Sequence, residues 1–203
     1  MCQSIGTIHA EAIPGDIVEC GVWSGGSLAL AALWDLQYSD SKRIYHAFDS
    51  FEGLPPPTED DGAVFENFNT NSRKKNRIAT QKLQKTGVCA GDSADTVRMF
   101  FHKLGIPADR SRFHVGWFQD TVPAAAREIG PLSILRIDGD WYDSTKVCLD
   151  HLYDIVSPGG YVIVDDYGCF SGCKRAVDEF MAMYNIKAQL TFVDDHCVWF
   201  RKP

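Results

Sequence analysis

The chain has 203 residues, of which 45% are apolar and 12% aromatic, and it carries a net charge of -7. Those values exclude the low-hydrophobicity composition of a disordered protein and fit one domain, residues 1–203, burying about 70% of the surface exposed by its unfolded form. The acidic balance argues against nucleic acid or an anionic membrane as partner, and no run of about 18 apolar residues is present to span a bilayer.

The opening "MCQSIGTIHAEAIPGD" has neither the basic stretch nor the apolar stretch of a secretory signal, so a cytoplasmic protein is expected. The seven cysteines, an odd number scattered along the chain, read as reduced thiols. Cys169 and Cys173, the one close pair, lack the two further soft ligands that a zinc site needs. Short apolar runs then alternate with helical patterns, the signature of an α/β sheet. The first strand is "DIVECGV" (16–22), leading through "SLALAALWDLQY" as a helix to the second, "RIYHAFD" (43–49). Residues 50–71 form a Pro-, Gly- and acid-rich stretch too long for a plain connection. This reads as a lid or substrate loop, with Phe51, Phe65 and Phe68 to exclude water. A polar helix is expected at about 72–85, where the basic run "SRKKNR" reads as a solvated face, and another at about 93–104. "RFHVGWF" (112–118) is the third strand and "TVPAAAREIG" a short helix. "LSILRID" (132–138) is the fourth strand, and "TKVCLDHLYDIV" the helix that "SPGG" stops. "YVIVDD" (161–166) is the fifth, followed by a helix over "CKRAVDEFMAMY". The tail "AQLTFVDDHCVWFRK" breaks the alternation and reads as an antiparallel hairpin on a parallel sheet.

Ligands of such sheets bind at the carboxyl ends of the strands. There "VECGVWSGGSL" places Glu19, Gly21, Gly25 and Gly26 between the first strand and the first helix. The glycines admit close approach of a ligand to backbone amides at a helix start. The spacing is that of methyltransferases using S-adenosylmethionine, not the G-x-G-x-x-G of dinucleotide enzymes. Asp49 ends the second strand, where an acid accepts ribose hydroxyls. Gly116 and Trp117 stand on the same edge beside an adenine. Asp138 and the pair Asp165-Asp166 close two strands one helical crossover apart. Like charges on one rim repel, and three hard oxygen donors suit Mg²⁺. Asp140 and Asp143 read as a loop acid supporting that site and a helix cap, with Trp141 and Tyr142 packing on an acceptor ring.

The segments "DIVECGVWSGGSL", "FDSFEGLPPP", "DGDWYDST", "VSPGGYVIVDDYG" and "GCKRAVDEF", in that order, resemble the macrocin O-methyltransferase family of sugar methyltransferases. The resemblance implies a Rossmann-like class I methyltransferase fold: a mostly parallel seven-stranded sheet, helices on both faces and a C-terminal antiparallel hairpin. It implies S-adenosylmethionine and Mg²⁺ as cofactors, and methyl transfer to a hydroxyl of a sugar-containing small molecule or natural product. Carried over by motif, the metal ligands are Asp138, Asp165 and Asp166, with Asp138 also the catalytic base. The cofactor residues are Glu19, Gly21, Val22, Trp23, Ser27, Asp49, Ser50, Gly116, Trp117 and Asp138. Family members commonly place a longer helical segment before the first strand than the fifteen or so residues here. Acceptor identity and homodimerisation therefore stay open. Metal-dependent catechol or phenol methylation uses a similar trio of acids. A nicotinamide-dependent oxidoreductase would have the wrong glycine spacing and no use for the rim acids. A non-catalytic nucleotide-binding module is the third alternative.

Overall fold

The computed structural model describes residues 1–38, 41–63 and 89–203. The helix expected at 72–85, with its basic run, and Phe65 and Phe68 lie outside them. Seven strands form one sheet in the order β3-β2-β1-β4-β5-β7-β6. They are β1 (Asp16–Cys20), β2 (Tyr45–Asp49), β3 (Ser111–Val115), β4 (Leu132–Ile137), β5 (Val156–Val164), β6 (Thr191–Phe192) and β7 (Val198–Arg201). The first five run parallel, while β7 pairs antiparallel with both β5 and β6. Six α-helices accompany them among the described residues: α1 (Cys2–Ala10), α2 (Gly26–Asp35), α3 (Ala94–Lys103), α4 (Phe118–Ala125), α5 (Tyr142–Leu152) and α6 (Ser171–Met183). None is long and apolar enough to cross a membrane.

Alternate side chains of the central strands enter two separate cores. Val18, Cys20, Leu135, Ile137, Val162 and Val164 pack with residues of α4, α5 and α6 on one face. Ile17, Tyr45, Ala47, Ile134 and Ile163 pack with residues of α1, α2 and α3 on the other. Covering both faces is what makes the strands read as unbroken apolar runs. Chain progression leaves β1 toward β2 on one side and toward β4 on the other, so a crevice opens where β1 and β4 end.

Three details depart from the sequence expectations. Helix α1 was not anticipated: no side chain caps it and Gly6 sits inside it, yet Ile5 and Ile8 are fully buried and dock it on the sheet. Strand β3 ends at Val115, because Gly116 turns to φ +141° and Trp117 becomes the N-cap of α4. The "SPGG" segment does not stop the chain before a new strand but lies within β5. A register shift between Leu132 and Ile134 on β4 absorbs it.

Candidate active site

Gly21 stands at the crevice. Its φ is +89°, and a β-carbon there would lie 1.8 Å from the carbonyl oxygen of Asp138, so β1 and β4 approach here as only glycine allows. Asp49 knits the neighbouring loops together. Its Oδ2 accepts the amides of Val22 and Trp23, each at 2.9 Å, and its Oδ1 accepts that of Phe51 at 2.7 Å. A cavity of about 300 Å³ results, lined by Gly21, Trp23, Asp49, Ser50, Trp117, Phe118, Asp138, Asp140 and the loop residues Gly53 to Pro55. A wider recess of about 730 Å³ shares Gly21, Trp23 and Asp138 and adds Glu19, Val22 and Ser27. Every cofactor position expected from sequence except Gly116 thus lines one of the two. Gly116 sits behind, its amide donating to the Asp49 carbonyl at 2.9 Å.

Glu19 is 1% exposed. Arg136 donates to its Oε1 at 2.5 Å, whereas its Oε2 is buried with no hydrogen-bond partner among the described residues. Burial outweighs the guanidinium and lifts the Glu19 carboxyl to about 7. An orphaned acceptor beside a glycine loop, with uncapped amides at the start of α2, fits a ligand bearing an ammonium and a carboxylate. That pair of groups is the amino-acid end expected of the cofactor.

Beyond Gly21 lie the acids. One carboxylate oxygen from each of Asp138, Asp140 and Asp166 comes within 4.8 Å of the others. The third member expected from sequence, Asp165, stands beside them but turns its Oδ1 to Arg136 at 2.8 Å. Arg136 also donates to Asp138 Oδ2 at 2.9 Å. Asp140, expected from sequence as a loop acid supporting that site, enters the cluster itself, at a left-handed backbone of φ +58°. Its amide donates to Asp166 Oδ2 at 3.0 Å, and no hydrogen bond from a described residue reaches its carboxylate. Burial, then the neighbouring acids, raise Asp140 to about 7 and Asp166 to about 8, and burial raises Asp138 as well. Three hard, crowded carboxyls fit a divalent oxygen-seeking cation, whose charge relieves their repulsion and displaces the protons that burial retains.

The flanking residues behave otherwise than expected. Trp141 is buried, its Nε1 donating to the Pro55 carbonyl at 2.9 Å and its ring edge-on to Phe170, so it fastens a loop. The Tyr142 hydroxyl donates to Glu179 Oε2 at 2.6 Å. Asp143 lies within the first turn of α5 and caps nothing. That helix is capped by Asp61, from the acid-rich stretch after β2, where the signal in the sequence is the motif Thr58-x-x-Asp61 of a capping box.

A family profile described as macrocin O-methyltransferase (TylF) matches residues 1–202. The chain is 35% identical over 195 residues to the 8-demethyl-8-(2,3-dimethoxy-alpha-L-rhamnosyl)-tetracenomycin-C 4'-O-methyltransferase of Streptomyces olivaceus, covering 96% of this chain and 69% of that protein. Demethyldecarbamoylnovobiocin O-methyltransferase of Streptomyces niveus is 36% identical over 200 residues, covering 98% of this chain and 71% of that one. Among solved structures, the O-methyltransferase NovP superposes with a TM-score of 0.82 at 34% identity, over 99% of this chain and 77% of that one. A calicheamicin methyltransferase at 20% identity and TM-score 0.70 shares the fold. With the glycine loop, the strand order and the acid cluster in place, the chain belongs to the macrocin O-methyltransferase family and is an O-methyltransferase of class I fold.

Proposed function

We propose that this enzyme transfers a methyl group from S-adenosylmethionine to a hydroxyl of a sugar borne by a small natural product, with Mg²⁺ held at the acid cluster. The observation that carries the reading is the convergence of Asp138, Asp140 and Asp166 within 4.8 Å of one another, with Asp138 and Asp140 lining the glycine-loop cavity, so that two acids can hold the ion and the third stands beside it to take a proton. The sugar acceptor rests on the relatives, among them a mycinamicin III 3''-O-methyltransferase from Micromonospora griseorubida at 34% identity.

Glu19 receives the cofactor's ammonium on its free Oε2, the α2 amides face its carboxylate, and Asp49 with Ser50 lines the ribose position. Asp138 and Asp166 hold the ion from two strand ends, while Asp165 adds charge that Arg136 neutralises. Mg²⁺ bound there would supply Lewis acidity that lowers the pKa of the acceptor hydroxyl. Asp140 is assigned as the base in place of Asp138. The Asp138 Oδ2 is held by Arg136, whereas no described residue hydrogen-bonds the Asp140 carboxylate. Asp140 takes the acceptor's proton as the oxygen accepts the methyl group, leaving S-adenosylhomocysteine. The chain's main contribution is to hold oxygen and methyl carbon in line in a site that loop 50–63 covers.

The test is methyl transfer from labelled S-adenosylmethionine to a panel of deoxysugar glycosides, flavonoids and catechols, with and without EDTA. Metal-dependent transfer to a glycoside is expected, together with loss of turnover in Asp140→Asn while Mn²⁺ still binds. Turnover that persists in EDTA, or transfer to catechols and to no glycoside, would overturn the reading.

A further inference from the structure

We infer that Asp61 is a positioning residue for the metal site, and that it acts by capping the helix that follows Asp138 and Asp140. The inference rests on the metal reading above. Asp61 belongs to the 3-10 turn Glu59–Asp61 in the segment that follows β2, and it is only 2% exposed. Its Oδ2 accepts the Thr58 amide at 2.7 Å and the Thr58 hydroxyl at 3.3 Å, closing its own turn. Its Oδ1 accepts the amide of Tyr142, the first residue of α5, at 2.8 Å. Helix α5 has no cap of its own, because its N-cap position is Trp141, whose side chain makes no capping bond. A carboxylate from 81 positions away fills that role, satisfying an orphan amide and adding negative charge at the positive end of the helix.

The place of this cap matters because Tyr142 is only two residues beyond Asp140. Between them the chain is wound tightly, the Trp141 amide donating to the Gly139 carbonyl at 2.6 Å. Trp141 also fastens the same loop at its other end, through Pro55. The loop that lines the cofactor cavity at Gly53, Leu54 and Pro55 is therefore bolted twice to the segment that presents Asp138 and Asp140. Room for the carboxylate is made by Gly172 at the start of α6, where a β-carbon would lie 2.3 Å from Asp61 Oδ1. Groups that orient metal ligands from behind typically change metal affinity about 10- to 100-fold when removed.

The experiment measures Mn²⁺ binding by electron paramagnetic resonance in S-adenosylhomocysteine-loaded protein, with S-adenosylhomocysteine affinity by calorimetry and the metal-free melting midpoint alongside. Asp61→Ala is expected to weaken Mn²⁺ about tenfold and to leave S-adenosylhomocysteine affinity within about twofold. Asp61→Asn keeps one oxygen for the Tyr142 amide but turns its NH₂ toward the Thr58 amide, so part of the loss should be recovered. Should Asp61→Ala not fold, Gly172→Ala, which drives a methyl group against Asp61 Oδ1, is read in its place, with the same selective loss of Mn²⁺ expected. Unchanged Mn²⁺ binding in the readable variant, or an equal fall in both affinities, overturns the inference. Failure of the unaltered protein to bind Mn²⁺ overturns the metal reading and this inference with it.

Discussion

A β-carbon at Gly21 would meet the Asp138 carbonyl at 1.8 Å, and φ there is +89°. Gly21→Ala must both strain the backbone and push β1 away from the strand that carries Asp138. A loss of about 3 kcal/mol or more is expected in urea unfolding, well above an ordinary surface substitution. The acids make a second prediction. Asp140 and Asp166 are held near 7 and 8 against an ordinary 3.8, and Glu19 near 7 against 4.5. The folded protein therefore keeps protons that the unfolded chain has already released, so stability falls as pH climbs from about 4 to about 8. The metal-free protein should melt at a lower temperature at pH 8 than at pH 6, and Mg²⁺ should recover the deficit at pH 8. Equal midpoints at the two pH values in EDTA would contradict the crowding of these carboxyls.

The strands are joined at their carboxyl ends by one side chain. Arg136 on β4 reaches Glu19 on β1, Asp138 at its own strand end and Asp165 just past β5. Burial works against its charge, but the three carboxylates outweigh that and raise its pKa. Arg136→Met would leave three acids without their counter-ion; of these only Glu19 is fully buried, and breaking that buried pair from one side costs up to about 3–5 kcal/mol, less what Glu19 regains by taking up a proton. Urea denaturation should show a loss of that size, with saturating Mg²⁺ returning part of it by replacing the missing positive charge. A variant as stable as the parent at pH 8, where these acids are most charged, would mean that Arg136 does not hold them together. The same kind of hub is Asp35, fully buried at the end of α2, which accepts bonds from His9, Ser41 and Tyr45 and pairs with Arg43 and Arg110. The Asp35 hub was not visible in the sequence, since His9 of α1, Asp35 of α2, Ser41 and Arg43 ahead of β2, Tyr45 of β2 and Arg110 ahead of β3 come together with no periodic trace, and of the other hub the acids were visible but Arg136 was not. Strands β1, β2, β4 and β5 were legible because both faces of each are buried, and Asp138 and Asp166 because acids ended two of them at crossover spacing. Asp140 was not, because a positive φ at a non-glycine residue is set by the surrounding packing and has no sequence signature. Helix α1 was missed for a related reason: Ile5 and Ile8 alone, around a glycine, make too short a stripe to stand out.

At the scale of the whole molecule, the parallel sheet is closed on one side by β7, which arrives last in the chain. Val198 and Phe200 are fully buried in one core, and Trp199 packs against the other. The strand pairs with β5 from Tyr161 to Val164, immediately before Asp165 and Asp166. The turn ahead of it accepts the Gly168 amide at the His196 carbonyl, 2.8 Å away, so the loop bearing those acids also leans on the tail. Burying two large apolar side chains contributes about 1.5–3 kcal/mol each. Their loss, added to that of a strand's backbone bonds, approaches the 5–15 kcal/mol by which a typical domain is stable at all. A chain ending at residue 190 should therefore lose its cooperative thermal transition. It should also associate through the uncovered β5 edge, which presents unpaired amides and carbonyls to another copy. Circular dichroism melts and sedimentation of the truncated protein read both effects. A monomer that still melts sharply near the full chain's midpoint would mean that β7 covers a sheet already stable without it.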